Sequence, residues 1–177
     1  MTKHRTGVIF KDVDYAGFLK RIIIMAVDLP IIYLFYLVCY YIDDYFYRYH
    51  DFESDIVSIY TPTTLAFLYL TVLKASKLGT LGQKVTNTKI LTIKGKRPNI
   101  FLMAYRLLFW IVGPFNFLFD IGWITLNKEK RTLRDSICNT IVVRKDAEPV
   151  TLDAKIRNAR ALVFGFHFIY ETTTPPT

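Results

Sequence analysis

Leu19–Ile42 reads LKRIIIMAVDLPIIYLFYLVCYYI, apolar except for Lys20 and Arg21 at its start and Asp28 inside it. A helix of this length reaches about 36 Å, enough to cross a hydrocarbon core of about 30 Å with some tilt. The stretch therefore reads as a membrane span. Counted from Leu19, Asp28 lies about 13 Å in, near the midplane, where an ionised carboxylate costs at least ~2.5 kcal/mol. Pro30 removes one helical hydrogen bond beside it and presses on the carbonyl of Ala26. Arg21 and Asp28 are seven residues apart. They leave the same helix face about 10 Å apart along the axis, too far to pair with each other. Each is expected to find its partner on another segment.

The remaining composition agrees with a membrane protein. Hydrophobic residues make up 52% of the 177 residues, with 14 Phe and 12 Tyr. A soluble fold would need a large core around apolar runs that lack polar helical faces. The net charge of +8 could suggest nucleic acid, but its placement along the chain reads as a topology signal, and no nucleic-acid partner is expected. Residues 1–21 hold Lys3, Arg5, Lys11, Lys20 and Arg21 against Asp12 and Asp14, and Asp43, Asp44, Asp51, Glu53 and Asp55 follow the first run with Arg48 opposing. After a second apolar run, Ile56–Leu73, come Lys74, Lys77, Lys84, Lys89, Lys94, Lys96 and Arg97 without one acid. Lysine and arginine collect on the cytoplasmic side, so a multi-pass protein of the cell (inner) membrane with a cytoplasmic amino terminus is expected. Tyr40, Tyr41, Tyr45, Tyr47 and Tyr49 then form an interfacial aromatic belt. The charged leader precedes a run too long for a cleaved signal, and the span is expected to be retained.

In the second run, Thr61, Thr63 and Thr64 flank Pro62, where their hydroxyls can satisfy backbone groups that the proline frees. Thr88–Ile93 alternates polar and apolar residues and exits at a Lys94–Pro98 turn, and Thr140–Val143 is a second β-branched run. The two are expected to pair as a small cytoplasmic β element. A third apolar run, Ile100–Leu126, would put the second strand on the opposite side if it crossed once. Gly113-Pro114 breaks it in the middle, so two arms returning to the cytoplasm as a re-entrant hairpin are expected. The fold class is thus a mainly α membrane protein with two transmembrane helices, a broken third apolar segment and a small β element. It divides into a cytoplasmic segment 1–18, a membrane domain 19–144 and an extension 145–177.

Arg106 and Asp120, one in each arm, are a second pair of charges in apolar sequence. Together with Arg21 and Asp28 they offer two cations and two anions for cross-pairing, as an ion or proton site or as a structural network. Gly79-Thr-Leu-Gly82-Gln-Lys84 lacks the spacing of a phosphate loop. It reads as a tight turn at the membrane surface, with Lys84, Lys94, Lys96 and Arg97 at anionic lipid headgroups. Cys39 and Cys138 form neither a disulfide pattern nor a metal spacing, and His4, His50 and His167 are isolated. No metal, no cofactor and no catalytic set of nucleophile, base and orienting group is expected.

Arg21, Asp28, the Gly79–Lys84 stretch, Arg106 and Thr132-Leu-Arg-Asp135-Ser-Ile-Cys-Asn-Thr140 resemble the RDD family of small membrane proteins over about Tyr15–Arg144. The resemblance matches the family's arginine and two aspartates to Arg21, Asp28 and Asp135, and so adds Asp135 to the charge network. Arg134 stands where a histidine commonly precedes the second aspartate, and Asn139 replaces the usual glycine. The family's activity is mostly unassigned, with cation/proton exchange attributed to some members. Beyond the resemblance, Ala161–Tyr170 is too short to span. It is expected to lie in the interface or against a partner subunit, and Thr172–Thr177 to fray. Two functional readings follow. One is a noncatalytic membrane subunit, or assembly or lipid-interacting factor, within a homo-oligomer or larger complex. The other is a transporter using Asp28 as its ion or proton site. A membrane enzyme is the least supported.

Overall fold

The computed structural model describes residues 6–50, 55–111, 130–163 and 166–174. Strand β1 (Thr6–Ile9) leads into helix α1 (Phe18–His50), which carries Pro30 within it. Helix α2 runs over Ile56–Leu73, with wide π turns at Ile56–Tyr60 and Tyr69–Leu73 on either side of a regular segment. The stretches Phe18–Tyr49 and Ile56–Leu73 are both long and apolar enough to cross a membrane. Within the chain, 17% of each apolar window is buried. The core helix of a water-soluble protein would hide most of its apolar surface instead.

The first helix ends later than the sequence suggests. Asp43 and Asp44 continue it rather than open a loop, and Arg48 pairs with Asp44 one turn away at 3.0 Å. Such i,i+4 pairs support a helix that projects beyond the apolar core. In α2 the hydroxyls of Thr61, Thr63 and Thr64 donate to the carbonyls of Ile56, Ile59 and Tyr60 at 2.8, 2.6 and 2.8 Å. These hydroxyls bond back along their own helix, to carbonyls other than those of Val57 and Ser58 that face Pro62, so the compensation expected for the proline is not what they provide. The Tyr36 and Thr63 hydroxyls, 3.0 Å apart, tie α1 to α2.

The Gly79–Lys84 stretch is not an open turn but the start of a short helix, α3 (Leu81–Val85). Strand β2 (Thr88–Thr92) follows, then helix α4 (Ile100–Ile111). The helix covers the first arm of the third apolar run; Gly113-Pro114, the second arm and Asp120 lie outside the described residues. A short helix α5 (Leu133–Ile137) and strand β3 (Thr140–Arg144) come next. Strands β2 and β3 pair antiparallel, as expected, with Thr88 opposite Arg144, Ile90 opposite Val142 and Thr92 opposite Thr140.

These two halves repeat each other. Thr80-Leu81 and Asn87-Thr88 recur at a constant offset as Thr132-Leu133 and Asn139-Thr140. In each half a threonine caps a short helix through a capping box, an asparagine with φ 50° turns the chain, and a strand begins. Asparagine tolerates that left-handed conformation better than most residues. Ile90 and Val142 are equivalent by the same offset and face each other in the ladder. A local pseudo-two-fold axis therefore passes between them.

The β2–β3 pair is buried on both faces. Leu91, Ile93, Ile141 and Val143 pack with Val8, Phe10 and Tyr15, whereas Ile90 and Val142 pack with Ala16, Ala75 and Met103 on the helical side. The carboxy-terminal region is extended. Thr151–Val163 and Phe166–Thr174 are strands β4 and β5, in a sheet ordered β1–β4–β5. Thr172, Thr173 and Thr174 are paired with Arg157, Ile156 and Lys155 rather than frayed. Alternation along Thr151–Arg157, with Leu152, Ala154 and Ile156 between polar residues, gives this region a strand's period rather than a helix's.

Candidate functional site: a buried charge cluster

The tips of the two repeats, α3 and α5, are where the intramembrane charges of the sequence find their partners. Asp135 is the third residue of α5 and completely buried. Its backbone N–H donates to the Thr132 hydroxyl, and its Oδ2 accepts from the Thr132 N–H at 3.3 Å. Arg21 reaches Oδ2 and Arg106 reaches Oδ1, each at 2.5 Å, and the Thr140 hydroxyl donates to Oδ1 at 3.3 Å. Arg21 is further fixed through Nε to the Ala16 carbonyl and through Nη2 to the Lys130 carbonyl. Burial pushes the Asp135 carboxyl upward, but the guanidiniums of Arg106, Arg21 and Arg134 outweigh it and hold the group well below the usual carboxylate range.

Asp28 binds the other tip. Its Oδ1 accepts from the Tyr69 hydroxyl and the Gly82 N–H, both at 2.9 Å, and its Oδ2 accepts from the Thr80 hydroxyl at 2.9 Å. Lys74 Nζ lies 3.7 Å from Oδ2. The Tyr69 hydroxyl in turn accepts from the Leu81 N–H at 3.0 Å, so side chain and helix tip form a closed network. Gly82 permits it. A Cβ there would run into the Ile24 carbonyl and come within 2.9 Å of Asp28 Oδ1. Burial pulls the Lys74 amine down to about 8 against the upward pull of Asp28.

Arg21 and Asp28 thus do receive partners from other segments, but not by the expected exchange. Both arginines converge on Asp135, and the cation at Asp28 is Lys74. Asp28 lies where α1 meets both the end of α2, at Tyr69 and Lys74, and the tip of α3, at Thr80 and Gly82. Tyr69, Lys74 and Thr80 were not singled out as site residues. The signal that could have found the last is the offset of Thr80-Leu81 and Thr132-Leu133. Of the four basic residues assigned to headgroups, Lys84 and Arg97 border a common pocket, whereas Lys94 and Lys96 are exposed on the turn after β2 and do not line it.

Between the two tips lies a cavity of about 140 Å³, bordered by Arg21, Asp28, Lys74, Met103 and Arg106 among mostly apolar side chains. Arg106 Nη1 is buried without a hydrogen-bond partner among the described residues. Among the described residues no group of three or more His, Cys, Asp or Glu side chains could hold a metal. Burial pushes the Cys138 thiol up to about 11, against the opposing pull of Arg106.

Two long apolar helices clamped by buried ion pairs onto a strand layer define a small membrane-associated protein. The chain belongs to the RDD family, whose model matches residues 15–139. The residues that carried the resemblance, Arg21, Asp28 and Asp135, all lie at the two tips. No curated protein and no solved structure matches the chain.

Proposed function

We propose that this chain is a noncatalytic, multi-pass membrane subunit of the cell membrane. In this reading its amino terminus and strand layer face the cytoplasm, and its buried charges lock two helices to that layer. The observation that carries the proposal is the saturation of both carboxylates. Asp28 accepts three hydrogen bonds besides its lysine, and Asp135 holds two guanidiniums and a helix cap. A site that loads and releases an ion or proton would have to break such a network in every cycle, whereas a structural clasp keeps it closed. The exposed apolar faces of α1 and α2 leave room for lipid or for neighbouring subunits.

An ion- or proton-coupled transporter is the second reading, and the cavity opening onto Asp28 and Lys74 favours it. Asp28→Asn separates the two, because it keeps size and polarity but removes the charge. A structural subunit carrying it shows reduced assembly and thermal stability in detergent. A transporter carrying it stays assembled and loses cation- or proton-dependent flux in proteoliposomes, an outcome that would falsify the subunit reading.

A further inference from the structure

A second pocket, of about 90 Å³, lies on the far side of Lys74 and Gln83 from the charged cavity, between the end of α2, α3 and the β2–β3 pair. Six cationic side chains border it, Lys74, Lys77, Lys84, Lys89, Arg97 and Lys145, and no carboxylate does. Three of them are occupied. Lys74 faces Asp28, Lys89 donates to the Lys145 and Ala147 carbonyls, and Arg97 donates to the Ser76 carbonyl. The other three, Lys77, Lys84 and Lys145, are exposed and form no ion pair among the described residues. Asp146 is next to Lys145 in the chain, but it pairs with Arg144 and accepts from Asn87. Bringing this many like charges together without an acid costs free energy unless an anion joins them.

Leu78, Leu81 and Val85 stand beside the pocket, 65%, 48% and 66% exposed. Leu81, Lys84 and Val85 share one exposed face of α3, at positions i, i+3 and i+4, while Gly82 and Gln83 are buried on the other, and Lys77 and Leu78 are exposed in the bend that precedes the helix. An apolar face edged by lysines is what lies in a lipid headgroup boundary. Its height fits as well, because α3 is bound to Asp28 level with the end of the apolar helix α2.

We propose that this basic pocket binds the phosphate headgroup of an anionic membrane lipid through Lys77, Lys84 and Lys145, with Leu78, Leu81 and Val85 laid among the acyl chains. The proposal rests on the membrane placement above but not on the subunit role. The full chain in neutral detergent is titrated with dioctanoyl phosphatidic acid, and bound lipid is counted by native mass spectrometry. The K77Q/K84Q/K145Q variant is expected to bind on the order of a hundredfold more weakly, about fivefold for each lysine near a phosphate. The single variant Lys77→Gln should lose about fivefold. K94Q/K96Q, which removes two charges outside the pocket, should stay within about twofold of the parent. Equal binding of dioctanoyl phosphatidylcholine would overturn the proposal, as would unchanged binding by the triple variant. Displacement by inorganic phosphate at the lipid's own concentration would show a free-phosphate site instead. Carbonate extraction of the same membranes reports insertion separately, so a soluble protein is distinguished from an inserted one that ignores anionic lipid.

Discussion

Replacing Asp135 by asparagine keeps the shape of the α5 cap but leaves two guanidiniums facing each other without their anion. Asp135 is fully buried, and the Arg21 and Arg106 side chains are 13% and 12% exposed, so solvent can relieve little of the loss. Removing one partner of a buried pair typically costs about 3–5 kcal/mol, because the remaining charge is left uncompensated. For a chain of this size 1 kcal/mol shifts the melting temperature by roughly 2–4 °C, which gives an expected fall on the order of 10 °C. Tryptophan fluorescence or size-exclusion melting of purified protein in detergent measures it. An apolar triple variant, Arg21→Met, Arg106→Leu and Asp135→Leu, should recover much of the loss, since it removes the unpaired charges together. The pH dependence has a definite sign. The folded carboxyl is held below its unfolded value of about 3.9, so its contribution is fully present above that pH and is lost as pH falls toward the folded value. A melting temperature for Asp135→Asn within about 1 °C of the parent at pH 7 would refute the clasp.

Two further outcomes follow from the same geometry. Gly82→Ala should destabilise by about 1–3 kcal/mol, because its Cβ meets the Ile24 backbone and the Asp28 carboxylate. Gly17→Ala, whose nearest neighbour would be 4.0 Å away, should stay within about 0.5 kcal/mol by the same melts. Lys74 offers an alkaline counterpart to Asp135. Its folded amine titrates near 8 and its unfolded amine near about 10.4, so the unfolded chain binds more protons between these values. Stability should therefore rise with pH across that window. The rise should be smaller in Lys74→Met, measured as the difference between melts at pH 8 and pH 10.

The two apolar spans were legible because length and hydropathy suffice to identify them. The β2–β3 pair was legible because two short β-branched runs had no other partner. The pairing of charges was less so. From Leu19 to Ile42 the carboxylate of Asp28 could be assigned a need for a cation, but which one depended on how α3 folds against α1. That in turn depended on Thr80 capping a five-residue helix, which the two glycines disguised as a turn. The same capping chemistry recurs at Thr132, and comparing the two stretches would have revealed both tips at once. Arg21, in the first turn of α1, is bound to the Ala16 and Lys130 carbonyls, partners outside Leu19–Ile42 that a count along that stretch does not reach. In the carboxy-terminal region ten apolar residues suggest an interfacial segment, whereas Ala161, Leu162 and Val163 pair with Phe168, His167 and Phe166 in the β4–β5 hairpin, and β1 joins the sheet further back in β4, at Thr151, Ala154 and Lys155.

The pseudo-two-fold arrangement explains why one helix carries both an arginine and an aspartate at this spacing. Because β2 and β3 are neighbours, the tips that precede them lie close together, and α1 crosses both. Seven residues are almost two helical turns, so Arg21 and Asp28 leave the same face and each meets one tip. The symmetry is broken by what the tips present. Asp135 is an anion that takes a cation from α1, whereas the equivalent position in α3 is Gln83, and α1 supplies a carboxylate there instead. One alanine inserted after Met25 would rotate Asp28 by about 100° relative to Arg21. The helix could then keep one tip but not both. The insertion should therefore destabilise about as much as Asp28→Asn or more, although it deletes no charge. A variant that melted like the parent would mean that the two contacts are independent, and that the shared helix face has no part in holding the halves together.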